Sequence, residues 1–329
     1  MWGERVGLAV IAAVLLSLTA CTASPPAGPT VTGTDGRVTT ASPAVPLADH
    51  CPVATPNTPG GPDPWGGCFP GPGNTGVPQD VQLVEYDGPT TILDDNVTIE
   101  GKIVKGSLEI GGANVTLRNS KLLGSITTLD EQFPKASFTL DSVTIDGHGV
   151  EGKSAVGTNI TVRHSEITGS GSGGVCASCT VEDSWFHDEW IPPTSLDHMS
   201  AYRMDRHTTL RHNTLSCDFD PTGMNPEAGC SAGLTGYPDF NAVEFNTVDR
   251  NLFVANAKSA FCAFGGSSNG KPFSGSTNHI AFTDNVFQKG ANGTCGSYGP
   301  ITDFDRNAPG NVWSGNRWDD GTSLDPPAE

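Results

Sequence analysis

Apolar and polar positions recur with a short period along the chain from Asn96 onward. A threonine, replaced by alanine or valine in the last two copies, marks the repeat at positions 98, 116, 139, 161, 180, 209, 247, 281 and 312. The first four intervals are 18, 23, 22 and 19 residues, and the later ones are 29, 38, 34 and 31. A period near twenty residues with alternating apolar positions is typical of a solenoid of stacked β-coils. The longer intervals indicate loop insertions on a constant coil.

Two columns of the repeat are apolar in every copy. The residue after the threonine position is always apolar: Ile99, Leu117, Leu140, Val162, Val181, Leu210, Val248, Phe282 and Trp313. So is the residue six places after it: Val104, Leu122, Ile145, Ile167, Phe186, Leu215, Phe253, Phe287 and Trp318. Both columns are predicted to face the core, since strand side chains alternate between two faces.

Two further columns are polar and predict that the coils stack in register. Four residues after the threonine position stand Ser120, Ser165, Ser184, Asn213, Asn251, Asn285 and Asn316. Stacked amides and hydroxyls can hydrogen-bond from coil to coil. Two residues after it stand Glu100, Arg118, Asp141, Arg163, Glu182, Arg211 and Asp249, whose charges alternate in sign. Opposite charges on neighbouring strands attract, so most of these charges are predicted to be structural.

The pattern therefore predicts an all-β fold, a single-stranded right-handed parallel β-helix of about nine coils. The right-handed sense follows the crossover preference of parallel strands. A solenoid of helices is excluded by the 41 glycines and by the strand-like alternation. A β-sandwich or propeller stays open as the alternative, because short strands with turns also suit those folds.

Two segments resemble those of a known group of proteins. One is Cys68-Phe-Pro-Gly-Pro-Gly-Asn-Thr-Gly-Val-Pro78, and the other is Gly310-Asn-Val-Trp-Ser-Gly-Asn-Arg-Trp-Asp-Asp-Gly321. With the repeat between them, the chain resembles the pectate-lyase-like right-handed parallel β-helix superfamily, and within it secreted proteins of actinobacterial type. The resemblance implies the fold. It leaves the reaction open, because the superfamily includes lyases, hydrolases, epimerases and non-catalytic surface proteins.

The N-terminus is typical of an exported protein. A short polar start is followed by an apolar run from Val6 to Leu18, too short for a membrane span. Leu18-Thr-Ala-Cys21 then resembles the lipobox of bacterial lipoproteins, which implies lipidation of Cys21. An ordinary secretory signal is the alternative. We predict a signal peptide (1–20), a Pro/Thr-rich tether (21–64) and a β-helix domain (65–329), held at the bacterial cell surface by the lipid anchor alone.

The remaining eight cysteines are an even number in an exported chain and predict disulfides. The sequence does not fix their connectivity, and we favour sequential pairing: Cys51–Cys68, Cys176–Cys179, Cys217–Cys230 and Cys262–Cys295.

The net charge of −18, from 18 basic and 36 acidic residues, excludes the basic footprint of a nucleic-acid binder. It favours a neutral or cationic glycan over a polyuronate, unless calcium bridges the two. The expected partner is a polysaccharide, and the chain is expected to be a monomer.

Candidate chemistry gathers in the insertions within residues 186–206, 216–244 and 254–279, since insertions in a solenoid build its binding groove. The richest stretch supplies the candidate catalytic residues Asp188, Glu189, Asp197, His198, Arg203 and Asp205. The candidate substrate-binding residues are Trp190, Tyr202, Asp218 and Tyr237. Glycoside hydrolysis needs two carboxylates, and a lyase needs a base and a cation. A charged, solvated surface without catalysis is the simplest alternative.

No zinc-like spacing of cysteine and histidine is evident, and no metal is assigned. Asp218 and Asp220 could ligate calcium, although ordinary acidic loop residues explain them as well. Gly147-His148-Gly149 is found in polygalacturonase-type hydrolases, but the other motifs of those enzymes are missing here, so it predicts a turn. Two functions stay open: a polysaccharide lyase or glycoside hydrolase, and a non-catalytic glycan-binding or adhesive protein.

Overall fold

The computed structural model describes residues 50–147, 149, 152–220 and 228–326. The predicted signal peptide, Cys21 and His148 lie outside these residues. The described residues belong to one compact unit and contain 28 strands and one short 3-10 helix, Ser274–Ser276. No helix among them has the length and apolar composition needed to cross a membrane.

The strands form three parallel sheets, and most coils give one strand to each. Sheet 1 consists of β1 (Val84–Glu85), β4 (Lys102–Lys105), β7 (Lys121–Leu123), β10 (Thr144–Asp146), β13 (Glu166–Thr168), β16 (Trp185–Phe186), β19 (Thr214–Leu215), β22 (Leu252–Phe253), β25 (Val286–Phe287) and β28 (Arg317–Trp318). Sheet 2 consists of β2 (Thr91–Ile92), β5 (Leu108–Ile110), β8 (Ile126–Thr128), β11 (Lys153–Thr158), β14 (Ser172–Ala177), β17 (His198–Met204), β20 (Gly229–Thr235), β23 (Phe261–Phe264) and β26 (Gly299–Thr302). Sheet 3 consists of β3 (Thr98–Glu100), β6 (Val115–Arg118), β9 (Phe138–Asp141), β12 (Ile160–Arg163), β15 (Cys179–Glu182), β18 (Thr208–Arg211), β21 (Glu244–Asp249), β24 (Asn278–Thr283) and β27 (Val312–Ser314). The predicted parallel β-helix is confirmed.

The register follows the repeat residue by residue. Thr98 pairs with Thr116, Thr116 with Thr139, and so on through all nine marked positions to Val312 in sheet 3. The second apolar column pairs in the same way in sheet 1, from Val104 to Trp318. Both columns line the core, and only Trp313 and Trp318 in the last coil are partly exposed.

The polar columns bond as predicted. The amide column, defined as Ser120, Ser165, Ser184, Asn213, Asn251, Asn285 and Asn316, is buried throughout. Its asparagines donate from Nδ2 to the next Oδ1 at 2.9–3.0 Å. In the charged column, Arg211 lies 3.8 Å from Glu182 and 3.4 Å from Asp249 on the two neighbouring coils.

A tight turn joins sheet 3 to sheet 1, and its conformation was not predicted. One residue of each turn has a positive φ between 46° and 67°, in the left-handed region: Gly101, Asn119, Ser142, His164, Asp183, His212, Arg250, Asp284 and Gly315. Small polar residues tolerate this region best. In seven of the nine turns the next residue is a member of the amide column, which is buried.

Residues 51–81, which we call the strap, run along the outside of the coils from the last coil back towards the first. Asn57 donates to the Asp319 carbonyl at 2.8 Å, and Phe69 is buried against Leu252 and Val286 on sheet 1. Further along, the Gly76 amide donates to the His164 carbonyl at 2.9 Å. Residues 51–64 at the end of the predicted tether therefore lie on the coils, held by the first disulfide and by the buried Phe69.

His212 locks the strap to the coils. Its Nδ1 donates to Asp183 at 2.6 Å and its Nε2 donates to Asp63 of the strap at 3.1 Å, so the ring is doubly protonated. Burial opposes the charge, but the two carboxylates outweigh burial and raise the pKa of His212 to about 9. The ring also stacks on Phe69 at 5.6 Å.

We expect the stability of the domain to fall at alkaline pH. A histidine whose pKa rises from 6.5 to about 9 on folding stabilises fully below pH 6.5, and the stabilisation is lost as pH rises through about 9. Thermal melts across this range measure the loss. His212→Asn, which tolerates the left-handed turn, is expected to melt lower and to flatten this pH dependence. If the stability of His212→Asn depended on pH as that of the unchanged protein does, His212 would not hold the strap in this way.

All four predicted disulfides are present: Cys51–Cys68, Cys176–Cys179, Cys217–Cys230 and Cys262–Cys295. The last two fasten inserted loops to sheet 2, since each has one cysteine in that sheet and the other in a connection. Four disulfides are typical of a protein that folds in an oxidising compartment outside the cytoplasm.

Candidate functional site

Long connections lie at both ends of the strands of sheet 2. Residues 187–197, 254–260 and 288–298 enter it from sheet 1, as does a connection of which residues 216–220 and 228 are described. Residues 236–243, 265–277 and 303–311 leave it for sheet 3. The insertions predicted from the repeat therefore flank one sheet. We call the outer face of sheet 2 between these connections, from β11 to β26, the groove.

Arg203 and Tyr237 form the centre of the groove. Arg203 lies on β17, and its Cζ is 5.2 Å from the centre of the Tyr237 ring. Lys271, from the connection after β23, places its Nζ 5.5 Å from the same ring and pairs with Asp239 at 2.9 Å. The Nε of Arg203 is buried and has no hydrogen-bond partner among the described residues. A guanidinium with an unused donor is suited to a further acceptor.

Lys153 at the start of β11 adds a third positive charge. Burial and the nearby Arg203 lower the pKa of Lys153, and Asp197 opposes this shift. Like charges brought together in a chain of net charge −18 are costly unless a negative group compensates them. Because its pKa is lowered, Lys153 loses its proton more readily than an ordinary lysine, and the neutral amine is a proton acceptor.

Tyr237 is held in its protonated form. Burial raises the pKa of its hydroxyl, although a hydrogen bond with Ser231 and the charges of Arg203 and Lys271 act in the opposite direction. The phenol is therefore a proton donor at neutral pH. The donor Tyr237 and the acceptor Lys153 thus both interact with Arg203.

Aromatic rings continue from Tyr237 towards the C-terminal end of the groove. Tyr237 contacts Phe264 with ring centres 5.2 Å apart, Phe264 contacts Phe261 at 5.5 Å, and Phe261 contacts Tyr298 at 5.8 Å. We call these four residues the aromatic path. Tyr298 is 79 % exposed, so the path remains open to a ligand at its far end.

The predicted residues Asp188, Glu189 and Asp218 lie together, but at the corner between sheets 1 and 2. Asp188 donates its amide to Asp218 Oδ1 at 2.7 Å, and the Asp218 amide donates to Glu189 Oε2 at 3.0 Å. Glu189 is only 6 % exposed, and burial followed by the charge of Asp218 raises its pKa. These contacts join two loops, which is a structural role.

Four other predicted residues are also placed outside the centre. Tyr202, proposed to stack on sugar, is buried in the core against Phe186, with its hydroxyl 2.7 Å from the Cys176 sulfur, so this assignment is corrected. The register puts its side chain on the inner face of β17, opposite Arg203. Asp205 pairs with the adjacent Arg206 at 3.5 Å. His198 is exposed where β17 begins, and Trp190 is half-buried in the preceding loop.

Asp218 and Asp220, considered from the sequence as calcium ligands, have protein partners. Asp220 pairs with Lys258 at 2.5 Å, and Asp218 accepts from the Asp188 amide. Glu189 approaches the sulfurs of Cys217 and Cys230, but those sulfurs are joined in a disulfide and offer no thiolate.

A cavity of about 390 Å³ lies on another side of the molecule. It is lined by residues 73–79 of the strap, by Ser142 and by His164, at the turn between sheets 3 and 1. It does not involve sheet 2, and most of its lining residues belong to the strap. The acid–base groups lie in the groove.

Arg203, Asp197 and Tyr237 were predicted from the sequence as site residues, whereas Lys153, Lys271 and most of the aromatic path were not. Lys153 stands apart from the charged stretch, and Lys271 lies in a different insertion. One feature of the sequence could have identified the two lysines. Lysines are scarce in this acidic chain, so each lysine in or beside an insertion is a candidate site residue.

Comparison with known proteins adds little to this geometry. No protein-family model matches the chain, and no curated protein matches it significantly. Among solved structures, the chain is similar to the A-module of the mannuronan C-5 epimerase AlgE6 of Azotobacter vinelandii, with 14 % identity and a TM-score of 0.40. The match covers 71 % of this chain and 66 % of that module, just under two thirds of its length. The fold is assigned as a parallel β-helix from the three parallel sheets and not from this similarity.

Proposed function

We propose that the groove binds an acidic polysaccharide and cleaves it by β-elimination. One observation carries the proposal: Arg203 and Lys271 lie against the Tyr237 ring, and Lys153 lies near Arg203, in a chain whose net charge is −18. The net charge alone favoured a neutral or cationic glycan. A local cluster of cations outweighs distant charges, because salt screens interactions beyond about 10 Å.

The residues of the groove supply each part of such a reaction. Arg203 and Lys271 neutralise the uronate carboxylate and the negative charge that develops on it when the adjacent carbon loses its proton. Lys153 accepts that proton, since its pKa is lowered. Tyr237 donates its proton to the departing glycosidic oxygen as a double bond forms in the ring. Hydrolysis would instead need two free carboxylates. Of the two near Tyr237, Asp239 pairs with Lys271 at 2.9 Å and Asp303 accepts from the Ser268 hydroxyl at 2.5 Å.

Non-catalytic glycan binding is the second candidate, and the aromatic path favours it. Rings in a row on a solenoid face suit stacking on successive sugars without any reaction. Binding and cleavage share the groove, so they differ only in what Tyr237 and Lys153 do.

A panel of neutral, acidic and amino polysaccharides, incubated with the purified domain in the presence of calcium, tests the proposal. Cleavage by elimination gives products with ultraviolet absorbance from the new double bond. We expect these products from an acidic polymer. Tyr237→Phe is expected to keep binding and lose cleavage by about 100-fold or more. Binding without any product from the unchanged protein would favour the second candidate, and no binding would overturn both.

We also propose that the mature chain is anchored by lipid on Cys21 and acts outside the cytoplasm. The lipobox-like Leu18-Thr-Ala-Cys21 and the oxidised cysteines support this proposal. Cys21→Ser is expected to remove incorporation of labelled fatty acid and to move the protein from the membrane fraction. Thr22→Ala is the control and is expected to change neither. Labelling that persists in Cys21→Ser would contradict lipidation at this residue.

A further inference from the structure

We infer that the substrate is a mixed polysaccharide, in which acidic sugars are separated by neutral ones. This inference rests on the proposed function and adds which sugars occupy which half of the groove. The two halves differ in chemistry. Towards β11 the groove is cationic, and towards β26 it is aromatic.

The cationic half is centred on Arg203. Arg203 on β17 and Lys271 both lie within 5.5 Å of the Tyr237 ring, and Lys153 is close enough to Arg203 for its pKa to fall. Asp197, Asp239 and Asp303 lie around the same groups and balance their charge, and Asp239 pairs directly with Lys271 at 2.9 Å. The buried Nε of Arg203 has no hydrogen-bond partner among the described residues, and this single unused donor suits one acidic sugar.

The aromatic half differs from the cationic half in the positive charges beside its rings. Among the described residues, no lysine or arginine stacks on Phe264, Phe261 or Tyr298, whereas Tyr237 has two such partners. The faces of aromatic rings are electronegative, so a carboxylate placed over them is repelled and desolvated. The less polar face of a neutral sugar stacks there without this cost.

Spacing separates the two halves by more than one sugar. Neighbouring strands are about 4.8 Å apart, and β23 lies two strands from β17 in sheet 2, so the halves are about 10 Å apart along the stack. A chain along the groove therefore places different sugars over Arg203 and over Phe261. A polymer of acidic sugars alone would put a carboxylate on both halves.

Titration calorimetry with two oligosaccharides of equal length tests the inference, one made of acidic sugars only and one alternating acidic with neutral sugars. The alternating one is expected to bind about tenfold more tightly. Phe261→Ala and Tyr298→Ala are expected to weaken its binding about tenfold and to leave the all-acidic one nearly unchanged. Phe240→Ala, at an 84 % exposed ring outside the aromatic path, is the control.

The two proposals fail in different ways. Equal or tighter binding of the all-acidic oligosaccharide, or no effect of Phe261→Ala and Tyr298→Ala, would overturn the mixed-substrate inference and leave the proposed function standing. No binding of either acidic oligosaccharide would overturn the proposed function and the inference with it. Tyr298 is exposed, so its removal tests the site without threatening the fold.

Discussion

Arg203→Met is expected to lower kcat/KM on an acidic polysaccharide by about 100- to 1000-fold. The guanidinium lies 5.2 Å from the Tyr237 ring, and its buried Nε has no partner among the described residues. Methionine keeps the apolar stem and removes the charge. Removing one preorganised donor to a developing negative charge costs a factor of this size. Initial rates of product absorbance measure the change.

Two companion variants separate charge from shape. Arg203→Lys keeps the charge but loses the planar donor fork, so an intermediate loss is expected. Arg118→Met, in the charged column of sheet 3, removes an arginine that pairs with Glu100 at 2.7 Å far from the groove. Its activity is expected to stay unchanged. Full activity in Arg203→Met would show that the groove is not the site of reaction.

Asn251→Ala is expected to destabilise the domain by about 2 to 5 kcal/mol. Asn251 is fully buried, accepts from the amide and Nδ2 of Asn213 at 2.9 and 3.0 Å, and donates to the Leu210 carbonyl at 2.9 Å. Alanine leaves buried donors and a carbonyl without partners, and each unpaired group costs about 1–3 kcal/mol. Denaturant unfolding followed by circular dichroism measures the change.

Asn269→Ala is the matched control, since Asn269 lies exposed in the connection after β23. Its effect is expected to stay within about 0.5 kcal/mol, as at most surface positions. Equal stabilities for the two variants would mean that the amide column contributes nothing beyond its shape.

The stacking of the coils could be predicted because every copy of the repeat meets the same physical demands. The column from Ile99 to Trp313 must be apolar to fill the inside, and the column from Ser120 to Asn316 must carry groups that bond to the next coil. Each position is thus constrained several times in one chain. A single copy such as Val115–Arg118 would have predicted only a strand.

The left-handed turns and the strap could not be predicted in the same way. Nine different positions adopt a positive φ with residues as unlike as Gly101, His212 and Arg250, because the corner geometry overrides local preference. The strap is held by contacts between distant parts of the chain, such as Asp63 with His212. The repeat pattern contains no information about such contacts.

The candidate site was predicted in part for a related reason. The stretch from Asp188 to Asp205 is dense in charge, but density along the chain is not convergence in space. Because side chains alternate along a strand, Tyr202 points into the core and Arg203 points outward. Glu189 is buried in a loop and lies outside the groove. Lys153 reaches the groove from an earlier coil, and Phe261 and Lys271 reach it from a later one.

A crystal structure of the domain with a bound acidic oligosaccharide tests the central claim most directly. The account predicts density along the outer face of sheet 2, with a carboxylate within hydrogen-bond distance of Arg203 and a sugar ring beside Tyr237. An oligosaccharide bound at the strap, on sheet 1 or on sheet 3, with the groove empty, would contradict it.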